Sequence, residues 1–428
     1  MGGTTRVSVD QHRSDVAALL APLVAAARRR TRTEEVDLAD ALGRVLAGDL
    51  TAPVAVPLFR NSQMDGFAVR ARDVAGARAG APARLTVGGE IPAAPGVPAP
   101  LAPGTAARIM TGAPVPDGAD AVVPVEDTAA GTFAPAGDAA DAAGAAAASE
   151  VDVLVPRTAG EFVREAGSDV RAGDVLLPDG VVLAPHHVAA VAACGVARVS
   201  VLVRPRVAVV STGSELVGPG EVPGPGQVFD ANADALGAAV RRAGGEVVLT
   251  ARCGDDAGRF AAVLAEAAAT SDLVLTSGGV SQGAYEVVKD VLSAGAPGGG
   301  VTFRSVAMQP GGPQGLGTVH GTPVLTFPGN PVSAQVSFVV FLREQLERAA
   351  GRAGERRVRR ARVLDAGSSP PGRRQLLRGA TGPEGVVRVV GGPGSHLVAS
   401  MARADVLVDV PADVTGWDAG TELEVWEL

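Results

Sequence analysis

Lysine and tyrosine are almost missing from this chain: among 428 residues there is one of each, Lys289 and Tyr285, although Lys and Arg together number 38. Every other basic side chain is arginine. Arginine does not replace lysine where a compact point charge or a phosphate contact is wanted, so a sequence that has drifted to arginine yet kept one ammonium group points to a requirement at that position. Chance survival on a solvated helix face is the plain alternative. Aromatics are 3% of the chain, so the cores must be built from Ala, Val and Leu. Two cysteines, Cys194 and Cys253, exclude a disulfide framework or a cysteine zinc site and fit a reducing compartment. The five histidines, His12, His186, His187, His320 and His396, show no metal-ligand spacing. A basic excess is lacking too: the net charge is −8, which argues against wholesale nucleic-acid binding. Val16 to Ala27 is apolar but too short to span a bilayer, contains Pro22, and precedes rather than follows Arg28-Arg-Arg30. It therefore reads as an amphipathic helix, not a signal peptide or a membrane span. Arg6 stands where myristoylation needs a small hydroxyl residue.

The spared lysine closes a short segment, Ser277-Gly-Gly-Val-Ser-Gln-Gly-Ala-Tyr-Glu-Val-Val-Lys289. Asp272 to Thr276 before it alternates like a buried strand, Ser277 to Ser281 is a small-residue turn, and Ala284 to Ala294 has helical spacing. Gly278 and Gly279 let a ligand approach the backbone, and the amides of the following helix suit an anion such as a phosphate. Lys289 can add charge, and Glu286 one turn earlier can hold a metal. A second loop follows about 50 residues on: Thr322 to Phe327 reads as a strand, Pro328-Gly-Asn-Pro331 as a rigid turn, and Val332 to Ala350 as a long apolar helix. Pro331 suits the first helical position, where its missing N–H costs nothing, with Ser333 in the first turn. In an open parallel sheet such loops, at the carboxyl ends of neighbouring strands, line one crevice.

With 46% hydrophobic and 20% charged residues, the length suggests about three domains. Strands at Val207–Val210 and Glu246–Thr250 and helices at Asp234–Ala243 and Ala257–Ala269 continue the alternation, so residues 207 to 350 form a doubly wound α/β unit. A β-rich tail from Arg357, with strands near Val386–Val390 and Asp405–Val410, predicts a small barrel or sandwich. In front, a helical segment from Val7 to Leu50 gives way at Thr51-Ala-Pro-Val-Ala-Val-Pro57 to short strands and Gly/Pro turns through about Leu183, and His186 to Cys194 reads as a short helix. Ala129 to Glu150, almost wholly Ala, Gly and Asp, reads as an extended or disordered excursion between strands.

Other motifs are ambiguous singly. Asp65-Gly66, in Asn61-Ser-Gln-Met-Asp-Gly-Phe-Ala-Val69, reads as a hairpin turn. Arg108-Ile-Met-Thr-Gly-Ala-Pro-Val-Pro116 puts Thr111 in a rigid turn. Asp169 follows Gly167-Ser168, Glu215 can simply begin a helix, and Asp255 and Asp256 look like a helix N-cap, a reading kept for Asp256. Together these segments, with Glu35 to Ala47, Arg164 to Asp169, Ser211 to Leu216, Ser277 to Lys289 and Pro328 to Ser333, resemble in order the molybdopterin molybdenumtransferase family, the MoeA family that includes the E domain of gephyrin. The resemblance runs from about Val36 to Glu427.

That resemblance implies a multidomain α/β and β fold. Its parts are an N-terminal helical/β linker domain of residues 1–56 plus 156–204, an inserted β-rich domain of 57–155, a molybdopterin-binding-like α/β domain of 205–352, and a C-terminal β-barrel of 353–428. It implies insertion of molybdenum from molybdate into adenylylated molybdopterin, with Mg2+ present and AMP released. Asp65, Thr111, Asp169, Glu215, Asp255 and Lys289 match the family's catalytic residues, and Glu286, Asp255 and Glu215 its metal ligands. Ser277, Gly278, Gly279, Ser281, Pro328, Gly329, Asn330, Pro331 and Ser333 match its substrate-binding loops. Carboxylates are hard ligands suited to Mg2+, and loop amides with the metal can neutralise a phosphoanhydride. The resemblance further implies a cytoplasmic homodimer with the site between subunits. Contacts with the adenylyltransferase and with molybdoenzyme apoproteins are implied as well, with no nucleic acid or membrane partner.

The chain departs from the family at Thr212-Gly-Ser-Glu-Leu216, where many relatives have Thr-Gly-Asp-Glu-Leu. It departs again at Gln309-Pro-Gly-Gly-Pro313, where the family has Lys-Pro-Gly-Lys-Pro near the expected molybdate site. Two rivals follow. One is the related adenylyltransferase, against which the extra front and tail domains argue. The other is a molybdopterin-binding carrier or scaffold without turnover, which the two lost lysines favour.

Overall fold

A computed structural model describes residues 6–133, 149–280, 287–293 and 299–428. At its centre lies a six-stranded sheet in the spatial order Glu246–Cys253, Arg206–Thr212, Leu273–Ser277, Thr322–Phe327, Pro313–Val319 and Val301–Ser305. The first four pair in parallel and the last two join antiparallel. Alternate residues of a strand face opposite sides, and both sides are apolar here. Val207, Val209, Leu273 and Leu275 pack with Leu236 and Val240 of helix Asn232–Arg242 on one face. Ala208, Val210 and Val274 pack with Phe260 and Leu264 of helix Ala257–Thr270, and with Val288, on the other. This is the doubly wound unit expected from the alternation. Of the four parallel strands read from the sequence, Thr322–Phe327 matches, Arg206–Thr212 and Glu246–Cys253 run one to three residues beyond the estimate at an end, and Leu273–Ser277 is shifted by one residue, while the two antiparallel strands were not anticipated.

The helix after Pro328-Gly-Asn-Pro331 begins at Pro331 and runs as one rod to Ala349, with a π-helical stretch at Phe338–Leu342. Against it lies the first helix, Val9–Arg28, capped by Ser8, whose hydroxyl accepts from Gln11 N at 3.1 Å. The helical reading of Val7 to Leu50 is corrected beyond Arg28. Arg30 takes a positive φ of 51°, and Thr33–Asp37 becomes a strand paired antiparallel with Arg198–Leu202. β-branched Thr31 and Thr33 with glycines at 43 and 48 favour extended and turned chain over helix. That pairing ties the chain's first segment to the stretch before the central sheet, around Ala41, Leu46, Leu183, Val191, Val199 and Val201.

Between those two segments lies a five-stranded sheet, ordered Ala121–Pro124, Gly66–Val69, Thr105–Ile109, Ala83–Ile91 and Glu150–Val153. Most of the Ala/Gly-rich excursion at 129–150 lies outside the described residues. The Asp65-Gly66 hairpin expectation fails: Asn61–Ser62 pairs with Val163–Arg164, whereas Gly66–Val69 pairs with Thr105–Ile109 and Ala121–Pro124, so the two short strands flanking Asp65 belong to different sheets.

The tail is a small barrel. Arg374–Thr381, Val406–Val410, Glu422–Glu427 and Val358–Arg362 pair in turn, Val387–Val389 flanks the first, and a Val363–Val387 bridge closes the ring around Leu377, Val408 and Val425. Met308–Gln309, from the central unit, adds a parallel strand to Arg374–Thr381 and so fixes the barrel against the central sheet.

Candidate functional site

A cavity of about 940 Å³ opens at the carboxyl ends of the parallel strands, where open α/β sheets hold ligands. Both loops singled out in the sequence reach it: Gly278, Gly279 and Val280 from one, Pro328, Gly329, Asn330, Pro331 and Ser333 from the other. They interlock. Gly278 N donates to Phe327 O at 3.0 Å, and a Cβ on Gly329 would lie 3.3 Å from the Gly278 Cα. Gly278 has φ +98°, and a Cβ there would come within 2.4 Å of Thr212 O, so glycine is needed on both counts. Pro331 occupies the first helical turn as expected.

Glu215 and Asp255 line the same cavity. Both are exposed carboxylates, and Ser214 Oγ donates to Asp255 Oδ2 at 2.6 Å. Ser214, where the resemblance leads one to expect a carboxylate, here orients Asp255. Asp256 is the N-cap of helix Ala257–Thr270, its side chain accepting from Arg259 N at 2.7 Å.

Other predicted residues stand elsewhere. Ser277 is buried behind the loop, its Oγ 3.3 Å from that of Ser211. Lys289 is half-buried on helix Val287–Ser293 and is not a wall residue. Ser281 and Glu286 lie outside the described residues. Asp65, Thr111 and Asp169 do not line the cavity. Asp65 and Thr111 do meet: Asp65 Oδ1 accepts from Thr111 N at 2.6 Å and from Thr111 Oγ1 at 2.8 Å. The Thr111 amide first, and its hydroxyl second, hold the Asp65 carboxyl below the usual carboxylate range. Asp169 is exposed on its own turn, with its amide donating to Val56 O at 3.1 Å.

Sequence reasoning missed several wall residues. Asp230 is buried, and its Oδ1 accepts from Ser211 Oγ and from the amides of Asn232 and Ala233 at 3.0–3.1 Å, so it ties the central strand to the start of the next helix. Asn232 Nδ2 donates to Gly329 O at 2.7 Å and holds the proline loop in place. Neither position belongs to the glycine or proline loop that the sequence singled out. From the barrel come Pro393, Gly394, Ser395 and His396. Beneath that stretch Arg378, fully buried, donates to Gly392 O, while its Nε and Nη1 have no partner among the described residues. Burial alone lowers its pKa from the ordinary arginine range. Gln309 lines the cavity and Gly312 does not.

Among the described residues no group of three or more His, Cys, Asp or Glu is placed to hold a metal. The two carboxylates lining the cavity, Glu215 and Asp255, are of the kind Mg2+ takes, which characteristically uses one or two protein carboxylates and completes its shell with water and substrate phosphates.

Family descriptions match nearly end to end: "MoeA N-terminal region (domain I and II)" over residues 7–195, "Probable molybdopterin binding domain" over 208–348, and "MoeA C-terminal region (domain IV)" over 360–428. The chain is 46% identical over 426 residues to molybdopterin molybdenumtransferase 2 of Mycobacterium tuberculosis, covering 98% of this chain and 99% of that one. It is 36% identical to the molybdopterin molybdenumtransferase of Nostoc, covering 79% and 74%. A molybdopterin biosynthesis MoeA protein from Pyrococcus horikoshii superposes with a TM-score of 0.74 at 31% identity, covering 99% of each chain.

Proposed function

This chain belongs to the MoeA family of molybdopterin molybdenumtransferases, and from that membership we propose that it inserts molybdenum from molybdate into adenylylated molybdopterin, releasing AMP. The observation that carries the reading is the interlocked pair of glycine and proline loops over a cavity that also presents Glu215 and Asp255. Free amides at the start of helix Pro331–Ser337, with the glycine-loop backbone, suit the phosphoanhydride of the adenylylated substrate. Asn232, whose amide is held by Asp230, keeps the proline loop from shifting, which matters because misplacing reacting groups by about 1 Å costs roughly a hundredfold in rate. Glu215 and Asp255 would hold Mg2+, which when bound supplies charge neutralisation at the phosphates. Ser214 orients Asp255 for that role.

The reading assigns the chain to four units, 1–56 with 156–204, 57–155, 205–352 and 353–428, and to a cytoplasmic homodimer. It is supported by the separation of the Asp65–Thr111 pair from the cavity walls. A second copy facing the cavity would bring that pair to the substrate, as the two halves of the resemblance require. No helix among the described residues is long and apolar enough to cross a membrane.

The test is AMP release by the purified protein given adenylylated molybdopterin, Mg2+ and molybdate, beside Glu215→Ala. Molybdate-dependent release that collapses in the variant is expected. Retention of the adenylylated ligand without release contradicts the transferase reading. It would favour the carrier or scaffold, which the loss of both family lysines at Gln309 and Gly312 makes the second reading.

A further inference from the structure

The residue standing where the family resemblance places a lysine is not simply a charge lost. Gln309 is half-buried in the cavity wall, and its strand lies beside Arg374–Thr381 in a register that sets Gln309 next to Gln375. Residues side by side on paired strands are the ones whose side chains meet. Gln375 Nε2 donates to Gln309 Oε1 at 3.1 Å. Gln375 is 2% exposed and its own Oε1 has no partner among the described residues, so its amide is held by burial and by the bond to Gln309. With its oxygen facing Gln375 and accepting from it, Gln309 keeps both N–H bonds of its NH2 group to offer elsewhere. The wall residue is thereby oriented as a donor.

We propose that Gln309 and Gln375 act as one unit that gives the cavity a neutral hydrogen-bond donor for an oxyanion, with Gln375 the positioning residue. The proposal rests on reading this cavity as the molybdate site. Two physical consequences follow. A neutral N–H binds an oxyanion more weakly than an ammonium does, and its contribution is less sensitive to salt, because ionic screening acts on charges. The unpartnered Gln375 Oε1 would accept from an ammonium at position 309 after a rotation of its amide, so the pair is compatible with lysine as well as glutamine there. Gly312, the other altered position, cannot contribute in the same way. It is not a wall residue, and its missing side chain would point at Val306 O and Met308 O, 3.4 and 3.6 Å from a Cβ.

The experiment is equilibrium dialysis of the full-length protein against molybdate, with bound molybdenum counted by mass spectrometry and folding followed by thermal melting. Loss of one oriented hydrogen bond predicts that Gln309→Ala and Gln375→Leu each weaken binding about fivefold, and that the double variant is no weaker than Gln309→Ala alone. Unchanged binding in Gln375→Leu, or fully additive losses in the double variant, overturns the pair. Gln309→Lys keeps the proposal testable if Gln375→Leu folds poorly. It should bind molybdate about tenfold tighter, with an affinity that falls more steeply with added NaCl than the wild type's. No gain and no added salt dependence would show that side chain 309 does not reach the anion, and the pair would fall. AMP release is scored separately. Wild type that binds molybdate through the pair yet releases no AMP contradicts the transferase reading and leaves the pair standing.

Discussion

The cavity over the central sheet and the Asp65–Thr111 turn in the front half both carry residues that the sequence marks as functional, yet they are built in opposite ways. Around the cavity, backbone meets backbone: Gly278 lies against Thr212 and Phe327, Gly329 against Gly278, and Asn232 locks the proline loop. Asp65 and Thr111 are exposed and held to each other by two short hydrogen bonds from one residue. Function at the first place is inseparable from packing. At the second, the two residues stand on an exposed turn.

The contrast is most vulnerable at Gly278. Gly278→Ala should cut AMP release by about a hundredfold or more and lower the melting temperature, because both its φ and its contact with Thr212 exclude a side chain. Asp65→Asn should do the reverse in kind. With its charge-assisted bonds to Thr111 weakened, release should fall roughly thirtyfold while the melting temperature stays within about 2 °C. If Asp65→Asn unfolds the protein, or Gly278→Ala leaves both properties intact, the contrast fails.

A pH series separates packing from site chemistry further. His12, buried on the first helix with its ring edge-on to Phe341 at 4.6 Å, has a pKa pushed down to about 4, by burial first and by Arg304 second, with Asp15 opposing. A histidine depressed in the folded state draws protons toward the unfolded chain. Its contribution to stability is therefore complete above pH 6.5 and is lost as pH falls toward 4, about 3 kcal/mol in all. Chemical denaturation at pH 7 and pH 4.5 should show most of that loss, and His12→Phe should reduce it. Asp65 titrates in the front half. Because Thr111 lowers its pKa, the acid limb of activity should shift to higher pH in Thr111→Val, where the hydroxyl bond is gone and the amide bond remains.

A slighter change is expected at Asp256, one residue from the cavity wall. Asp256→Ala should cost about 1 kcal/mol of stability through loss of the helix cap with AMP release unchanged, as read by urea unfolding beside the assay.

Much of the central unit was legible in the sequence, because strands such as Arg206–Thr212 and Leu273–Ser277 are mostly apolar and buried and the loops after them are punctuated by Gly and Pro. Thr322–Phe327, the cap at Asp256 and the first-turn Pro331 follow from local chemistry alone. What escaped depends on contacts distant in sequence. Val7 to Leu50 looked helical because its alanines and leucines suit a helix, but Thr33–Asp37 is claimed by a strand some 160 residues away. Asp230 and Asn232 carry no glycine signature, Gln375 matters only through a neighbouring strand, and nothing near Arg378 in the sequence announces a buried guanidinium. The π-helical stretch at Phe338–Leu342 leaves no mark in an apolar run.

Whether two copies complete each site is decided by complementation between inactive variants. Asp65→Asn and Glu215→Ala proteins are purified separately, mixed, unfolded together, refolded and assayed for AMP release. If each site takes Asp65 from one copy and Glu215 from the other, mixed dimers carry one site with both residues intact, and activity should recover to about a quarter of wild type. A mixture no more active than its parents would contradict a site shared between subunits.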